Sequence, residues 1–224
     1  MQTCYITDRT RFPGTESERR ERLLHCMARA SAAGVDYIQL RERDIGTRHL
    51  ELLAREALQV VRSSGAARLL INHRTDVALA VGADGVHLRG NDLAASDVRA
   101  LAASSGHRTP FLVAASCHTG REVRLAESHG ADFCVLAPIF EKASVTANGI
   151  GLEELRRAAR KDLTPDRRVE AGDMRHDFPV FALGGMTLER ATLCATAGAA
   201  GVAGIRLFQD ADDLAALVRS LRAL

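Results

Sequence analysis

A glycine, a small residue, an acid or alanine, and then a short apolar run occur together four times in this chain. The copies are Gly34-Val35-Asp36, Gly82-Ala83-Asp84, Gly130-Ala131-Asp132 and Gly198-Ala199-Ala200. Each reads as a helix end that turns into a buried strand. The first three glycines stand 48 residues apart, about twice the length of one strand-plus-helix unit. A second strand-helix pair therefore fits between successive copies, which gives eight βα units in 224 residues. That is the arithmetic of an α/β chain folded as one TIM (βα)8 barrel over residues 1–224. The last interval is 68 residues, so an insertion lies between Ala131 and Gly198.

Composition fits a single soluble domain. The chain is 46% hydrophobic, enough to bury a large core unaided, and its 30 basic and 28 acidic residues are interspersed for a net charge of +2. That balance gives no electrostatic case for nucleic acid or a membrane surface. Tryptophan is absent and there are only two tyrosines, so the stacking platforms of single-strand binders are missing too. No apolar run approaches the roughly 18 residues of a spanning helix, and the first residues lack a signal-peptide core, so a cytoplasmic protein is expected. Cys4, Cys26, Cys117, Cys134 and Cys194 show no C-x-x-C spacing and read as reduced, mostly buried thiols.

Short apolar runs at residues 3–6, 37–40, 69–71, 85–88, 111–115, 133–136, 180–183 and 201–205 are the eight strand candidates. Helical patterns alternate with them at 16–33, 49–62, 92–103, 119–129, 152–159, 188–197 and 211–221. An open doubly wound sheet is the rival architecture, but neither G-x-G-x-x-G nor G-x-x-x-x-G-K-[ST] occurs. Two segments exceed an ordinary connection. Residues 140–151 follow strand six on the rim where barrels place their chemistry and form a candidate lid. Residues 162–177, polar and carrying Pro165, form a long connection on the opposite rim.

Gln39, Arg41 and Arg43 share one parity at the end of strand two, so in an extended chain all three project to one side. An arginine fork there suits a phosphate or diphosphate; a salt bridge to Glu42 or a neighbouring acid is the plain alternative. Strand three ends in Ile71-Asn72-His73-Arg74, and strand four runs into Arg89-Gly90-Asn91-Asp92. Polar residues at adjacent strand ends suit a substrate pocket, but helix capping by Asn72 and Asp92 explains them equally well. Strand five leads into Ser116-Cys117-His118-Thr119, with Ser116 and His118 in one parity. His118 stands where a general acid or base belongs, although a lone histidine is more often structural. No serine-histidine-acid order or H-E-x-x-H spacing supports a hydrolase or a zinc site, so metal-free acid-base chemistry is preferred. Gly184 and Gly185 follow strand seven, and Gly204-Ile205-Arg206 closes strand eight. Tight turns would explain the glycines, but two such turns beside a cation suit a phosphate held by backbone N–H groups.

These motifs, with Tyr5-Ile6-Thr7-Asp8, Gln39-Leu40-Arg41-Glu42-Arg43, Ala83-Asp84-Gly85-Val86-His87-Leu88, Ala137-Pro138-Ile139-Phe140 and Leu183-Gly184-Gly185-Met186, resemble the thiamine phosphate synthase and thiazole tautomerase family. The resemblance runs in order over nearly the whole chain. It implies a TIM barrel, often a homodimer, that handles a thiazole phosphate in thiamine biosynthesis. The synthase joins hydroxymethylpyrimidine diphosphate to the thiazole phosphate with Mg²⁺, and its motifs place an aspartate where this chain has His73 and an acid at Asp92. Magnesium prefers hard oxygen ligands, so imidazole in place of one carboxylate should weaken the site. The synthase's lysine after strand two is Arg43 here. Its Thr-x-Thr-Lys run is replaced by Glu141-Lys142-Ala143-Ser144, and Arg206 stands where the family often has serine. The tautomerase also lacks the aspartate, needs no metal and uses a histidine in a Ser-x-His motif, matched by His118, though its own Thr-x-Cys-Lys run is missing here.

The resemblance therefore implies first a tautomerase-like isomerase without cofactor. In it His118 moves the proton, Arg41 and Asn72 position ring substituents, and Gln39, Arg43, Ser116 and Lys142 contact substrate. Gly184, Gly185, Gly204, Ile205 and Arg206 hold phosphate. The alternative is a divergent Mg²⁺-dependent synthase with Asp92, and in part His73, at the metal and Arg41 and Arg43 on the diphosphate. A relative that binds a phosphate ligand without catalysis is the third reading.

Overall fold

The computed structural model describes residues 1–106, 110–140, 149–159 and 178–224. Its strands are β1 (Gln2–Ile6), β2 (Tyr37–Leu40), β3 (Arg68–Asn72), β4 (Gly85–Leu88), β5 (Leu112–Cys117), β6 (Phe133–Leu136), β7 (Val180–Ala182) and β8 (Gly201–Gly204). All pair in parallel with their sequence neighbours, and β8 pairs with β1, so the sheet closes into a barrel. The helices are α1 (Glu16–Ala32), α2 (Thr47–Ser64), α3 (Thr75–Val81), α4 (Ala95–Ser104), α5 (Gly120–Ser128), α6 (Gly151–Ala158), α7 (Leu188–Thr196), α8 (Arg206–Gln209) and α9 (Leu214–Arg222). An open sheet is excluded. None of the described helices is long and apolar enough to cross a membrane.

The 48-residue period has a physical cause. Gly34, Gly82, Gly130 and Gly198 all have positive φ, and each donates its N–H to the carbonyl three residues back. The following N–H reaches five residues back, Val35 to Ala30, Ala83 to Ala78, Ala131 to Ala126 and Ala199 to Cys194. This pair of bonds closes a helix through a left-handed residue, which glycine adopts without a Cβ penalty. The acid that follows opens an even strand and secures the odd strand beside it. Asp36 accepts from the N–H and Oγ1 of Thr3, both at 2.8 Å, Asp84 from the N–H of Leu69 at 2.8 Å, and Asp132 from the N–H of Val113 at 2.7 Å. Each copy therefore serves two strands, and the repeat spans two βα units. The fourth copy has Ala200 instead of an acid, and its backbone alone makes the joint, donating to Val180 and accepting from Gln2.

Alternation along the strands then sorts the side chains. Ile38, Leu40, Ile71 and Val86 face outward and are buried with residues of the surrounding helices. Tyr37, Phe133 and Phe181 face inward near the N-terminal ends, with ring centroids 4.7 Å apart for Tyr37–Phe133 and Phe133–Phe181. Cys4, Ile6, Leu70, Leu112, Ala114, Val135 and Ala203 are buried in the same interior cluster. Toward the C-terminal ends the same inward parity carries Gln39, Asn72, His87 and Ser116, where apolar packing gives way to polar groups. All five cysteines are buried and free, as expected.

Candidate active site

A cavity of about 1720 Å³ opens at the C-terminal ends of the strands. Gln39, Arg41, Arg43, Asn72, His73, Ser116 and His118 line it, as do Gly184, Gly185, Gly204, Ile205 and Arg206. The structure thus brings together all the expected site residues except Asp92, which sits on the same rim without lining the cavity, and Lys142, which lies outside the described residues. Most of the candidate lid (141–148) and the 162–177 connection also lie outside them.

At the cavity floor, Gln39 Nε2 donates to Asn72 Oδ1 at 2.8 Å, and His87 Nε2 lies 2.9 Å from Ser116 Oγ. Asn72 therefore does not cap α3, whose N-cap is Arg74. His87 is fully buried, and its Nδ1 has no partner among the described residues. Burial, then the charge of Arg41, pushes its pKa down to about 4, so the imidazole is neutral.

Glu42 is not the partner of Arg41 or Arg43. Its Oε1 accepts from Thr7 Oγ1 at 2.6 Å, and its Oε2 accepts from Arg9 Nη1 at 3.1 Å and from the Arg9 backbone N–H at 3.1 Å. Arg9, itself buried, reaches on to Asp44 at 2.6 Å and Glu16 at 2.6 Å, and the hydrogen bond with Asp44 foremost holds its guanidinium charged. Thr7 Oγ1 also accepts the backbone N–H of Arg41 at 2.9 Å. The buried network thus fixes the main chain from which Arg41 projects. Because β2 ends at Leu40, the shared parity does not carry on to Arg43, which is exposed beyond the strand. Neither Arg41 nor Arg43 meets a carboxylate among the described residues. Burial, then repulsion from Arg43, lowers the pKa of Arg41.

His118 Nδ1 is 2.7 Å from the carbonyl of Ala137. A carbonyl only accepts, so Nδ1 carries a proton, and in the neutral ring Nε2 is the basic nitrogen. Capping of α5 falls to Thr119, whose Oγ1 accepts from the N–H of Glu122. At the β7–β8 corner, Gly184 has φ +118°, and a Cβ there would come within 2.9 Å of Pro138 Cα, so only glycine fits. The N–H groups of Gly184, Gly185, Ile205 and Arg206 have no acceptor among the described residues, whereas the Gly185 carbonyl takes a 2.6 Å bond from Arg190. Donors without acceptors, between two turns and beside Arg206, suit an anion.

The β3–β4 corner differs from expectation. Asp92 does not cap α4, whose N-cap is Ala94. Its Oδ2 accepts the backbone N–H of Arg89 at 2.7 Å, and its Oδ1 accepts from Arg89 Nη2 at 3.1 Å. The same Nη2 lies 3.3 Å from His73 Nδ1. A guanidinium only donates, so His73 Nδ1 accepts and its proton is on Nε2. His73, with φ +54°, is the only non-glycine residue in the left-handed region among the described residues, a strain typical of functional corners. Magnesium demands near-octahedral oxygen coordination. Here one carboxylate, already bonded on both oxygens by Arg89, faces one imidazole 4.0 Å away. With no second carboxylate and its one carboxylate already paired, this corner fits Mg²⁺ poorly.

Four residues of this rim carried no role in the sequence reading. His87 had a usable signal, its inward parity between Asn72 and Ser116. Arg89 stands three residues before Asp92, a spacing that turns often close. Arg9 and Arg190 had none, since their partners are fixed by strand pairing and by a loop carbonyl.

The sequence profile of the family described as thiamine monophosphate synthase matches residues 5–208. A thiamine-phosphate synthase of Methanoculleus marisnigri is 34% identical over 198 residues, covering 86% of this chain and 83% of that protein. One from Moorella thermoacetica is 36% identical over 197 residues, covering 86% and 83%. Among solved structures, a thiamine phosphate pyrophosphorylase from Pyrococcus furiosus superposes with a TM-score of 0.75 at 26% identity, covering 99% of this chain and 94% of that one. Matched along nearly its whole length by the profile, by these relatives and by that fold, the chain belongs to the thiamine monophosphate synthase family.

Proposed function

We propose that this chain is a transferase of the thiamine-phosphate synthase type, which joins a hydroxymethylpyrimidine diphosphate to a thiazole phosphate. The observation that carries this reading is a single cavity with two separate anion-receptive sets. Arg41 and Arg43 stand at the end of β2, and the N–H groups of Gly184, Gly185, Ile205 and Arg206 at the β7–β8 corner. A one-substrate isomerase needs only one of them. About 1720 Å³ also exceeds the usual range for one small ligand, roughly 300–1,000 Å³. The names of the relatives point the same way, and this reading replaces the isomerase as the first choice. In the reaction the carbon–oxygen bond to diphosphate breaks and a carbon–nitrogen bond to the thiazole ring forms. The bonding pair leaves with the diphosphate, whose growing charge the guanidinium groups stabilise. No proton need move in that step.

A tautomerase reading retains one specific support: the Ala137 carbonyl holds a proton on His118 Nδ1, so that in the neutral ring Nε2 is the basic nitrogen, at the cavity wall. The two are separated by incubating the protein with both substrates, and with the thiazole phosphate alone. A transferase yields thiamine phosphate and diphosphate in equal amounts, and His118→Ala costs less than about tenfold. A tautomerase changes the thiazole phosphate without the second substrate, and loss of its base costs about 100-fold or more. Binding of both compounds with no turnover supports the non-catalytic reading.

A further inference from the structure

The β3–β4 corner holds a cation of its own. Arg89 holds Asp92 Oδ2 through its backbone N–H and Oδ1 through its guanidinium, and the same Nη2 contacts His73 Nδ1, which lies 4.0 Å from Asp92 Oδ1, so the guanidinium bridges the two side chains that would have to hold a divalent ion. The arrangement is self-consistent: His73 accepts, Asp92 accepts, and Arg89 supplies donors to both. Asp92 is thereby neutralised by the chain itself. A metal entering here would have to displace a charge-assisted pair and would gain one carboxylate and an imidazole, a donor set that suits magnesium poorly. Arg89 remains half exposed at the cavity wall, on the same rim as Arg41 and Arg43, neither of which has a carboxylate partner among the described residues.

We propose that Arg89 is the resident cation of the diphosphate site, and that this chain holds a substrate diphosphate through Arg89, Arg43 and Arg41 without a divalent metal. The proposal rests on the transferase reading for the identity of the anion, but binding can be tested apart from turnover. Such a site exchanges a divalent ion recruited from solution for a single positive charge fixed in the fold. Guanidinium forks match phosphate oxygens in pairs, so they also orient the leaving group.

The test uses inorganic diphosphate as probe, titrated calorimetrically into the full chain in excess chelator and again in excess Mg²⁺, with Mn²⁺ binding followed separately by electron paramagnetic resonance. The expected result is diphosphate binding in chelator that Mg²⁺ does not strengthen, and no stoichiometric Mn²⁺ site. Arg89→Ala should weaken diphosphate binding about tenfold or more, and Arg89→Lys less, because charge survives without the fork. The double variant Arg89→Ala with His73→Asp should gain a Mn²⁺ site and bind diphosphate better when metal is present. Stoichiometric Mn²⁺ binding by the unaltered chain that Asp92→Asn abolishes would overturn the proposal, as would a tenfold gain in diphosphate affinity on adding Mg²⁺. Unchanged diphosphate binding in folded Arg89→Ala would do the same. Metal-free diphosphate binding in a chain that yields no thiamine phosphate would sink the transferase reading and leave the resident cation standing.

Discussion

The two ends of the barrel interior are built on the same strands with the same inward parity, and they hold opposite chemistry. On β2 the inward positions are Tyr37 and then Gln39; on β5, Leu112, Ala114 and then Ser116. Near the N-terminal ends Tyr37, Phe133 and Phe181 pack into an aromatic plug, while near the C-terminal ends the polar side chains pair across strands and open into the cavity. The comparison teaches that inward parity is a fixed address. Whether an address contributes stability or chemistry depends on how far along the strand it lies, because one end is closed by packing and the other by loops.

The strongest way to break that division is to empty the plug. Phe181→Ala should cost about 3–5 kcal/mol of stability, the usual toll for deleting a fully buried phenyl ring, while the folded fraction binds diphosphate as before; urea unfolding with calorimetry reads both. A loss of diphosphate affinity at unchanged stability would mean that the two ends are not separable. Glu42→Gln tests the boundary between them. It leaves the buried Arg9 without its carboxylate partner there and loosens the Thr7 joint that fixes the Arg41 backbone. A cost of about 2–3 kcal/mol is expected, because buried charge-assisted hydrogen bonds are weakened while Asp44 and Glu16 still compensate Arg9, together with weaker diphosphate binding. Stability lost with binding intact would show that the network serves the fold alone.

The smallest effect is one of pH and belongs to the polar end. His87 titrates at about 4 in the folded chain against an ordinary 6.5, so below 6.5 the unfolded chain takes up a proton that the folded chain refuses. Its contribution to stability is therefore full above 6.5 and is lost as pH falls toward 4. Between about pH 7 and about pH 5 the loss is on the order of 2 kcal/mol. Chemical unfolding of His87→Asn beside the unaltered chain should show a slope shallower by that amount. Equal slopes would mean that His87 is not held neutral by burial.

How much of this was legible beforehand follows from the range of the interactions. The eight strands and the barrel could be read because a left-handed glycine and the parity of apolar residues are local signals, and the acid after the glycine repeats in three of the four copies. The α8 turn of four residues has too little periodicity to be seen. Asn72 and Asp92 were ambiguous because the same short polar side chains cap helices, close turns and bind ligands. Neighbours decided the matter, Gln39 on the next strand for Asn72 and Arg89 in the same turn for Asp92. The Arg9–Glu42 pair, 33 residues apart, exists only because β1 lies beside β2. The arginine pair, the histidine after β5 and the glycine corner were all found at the cavity, since strand C-termini in a barrel converge on one rim.

The central claim is that one cavity holds two anions in different places. Crystals grown with thiamine phosphate and inorganic diphosphate together test it most directly. The account predicts the phosphate against the backbone N–H groups of Gly184, Gly185, Ile205 and Arg206, and the diphosphate beside Arg41 and Arg43 after β2 and Arg89 after β4. A single shared anion position, or phosphate on the arginine side with the glycine corner empty, would contradict it.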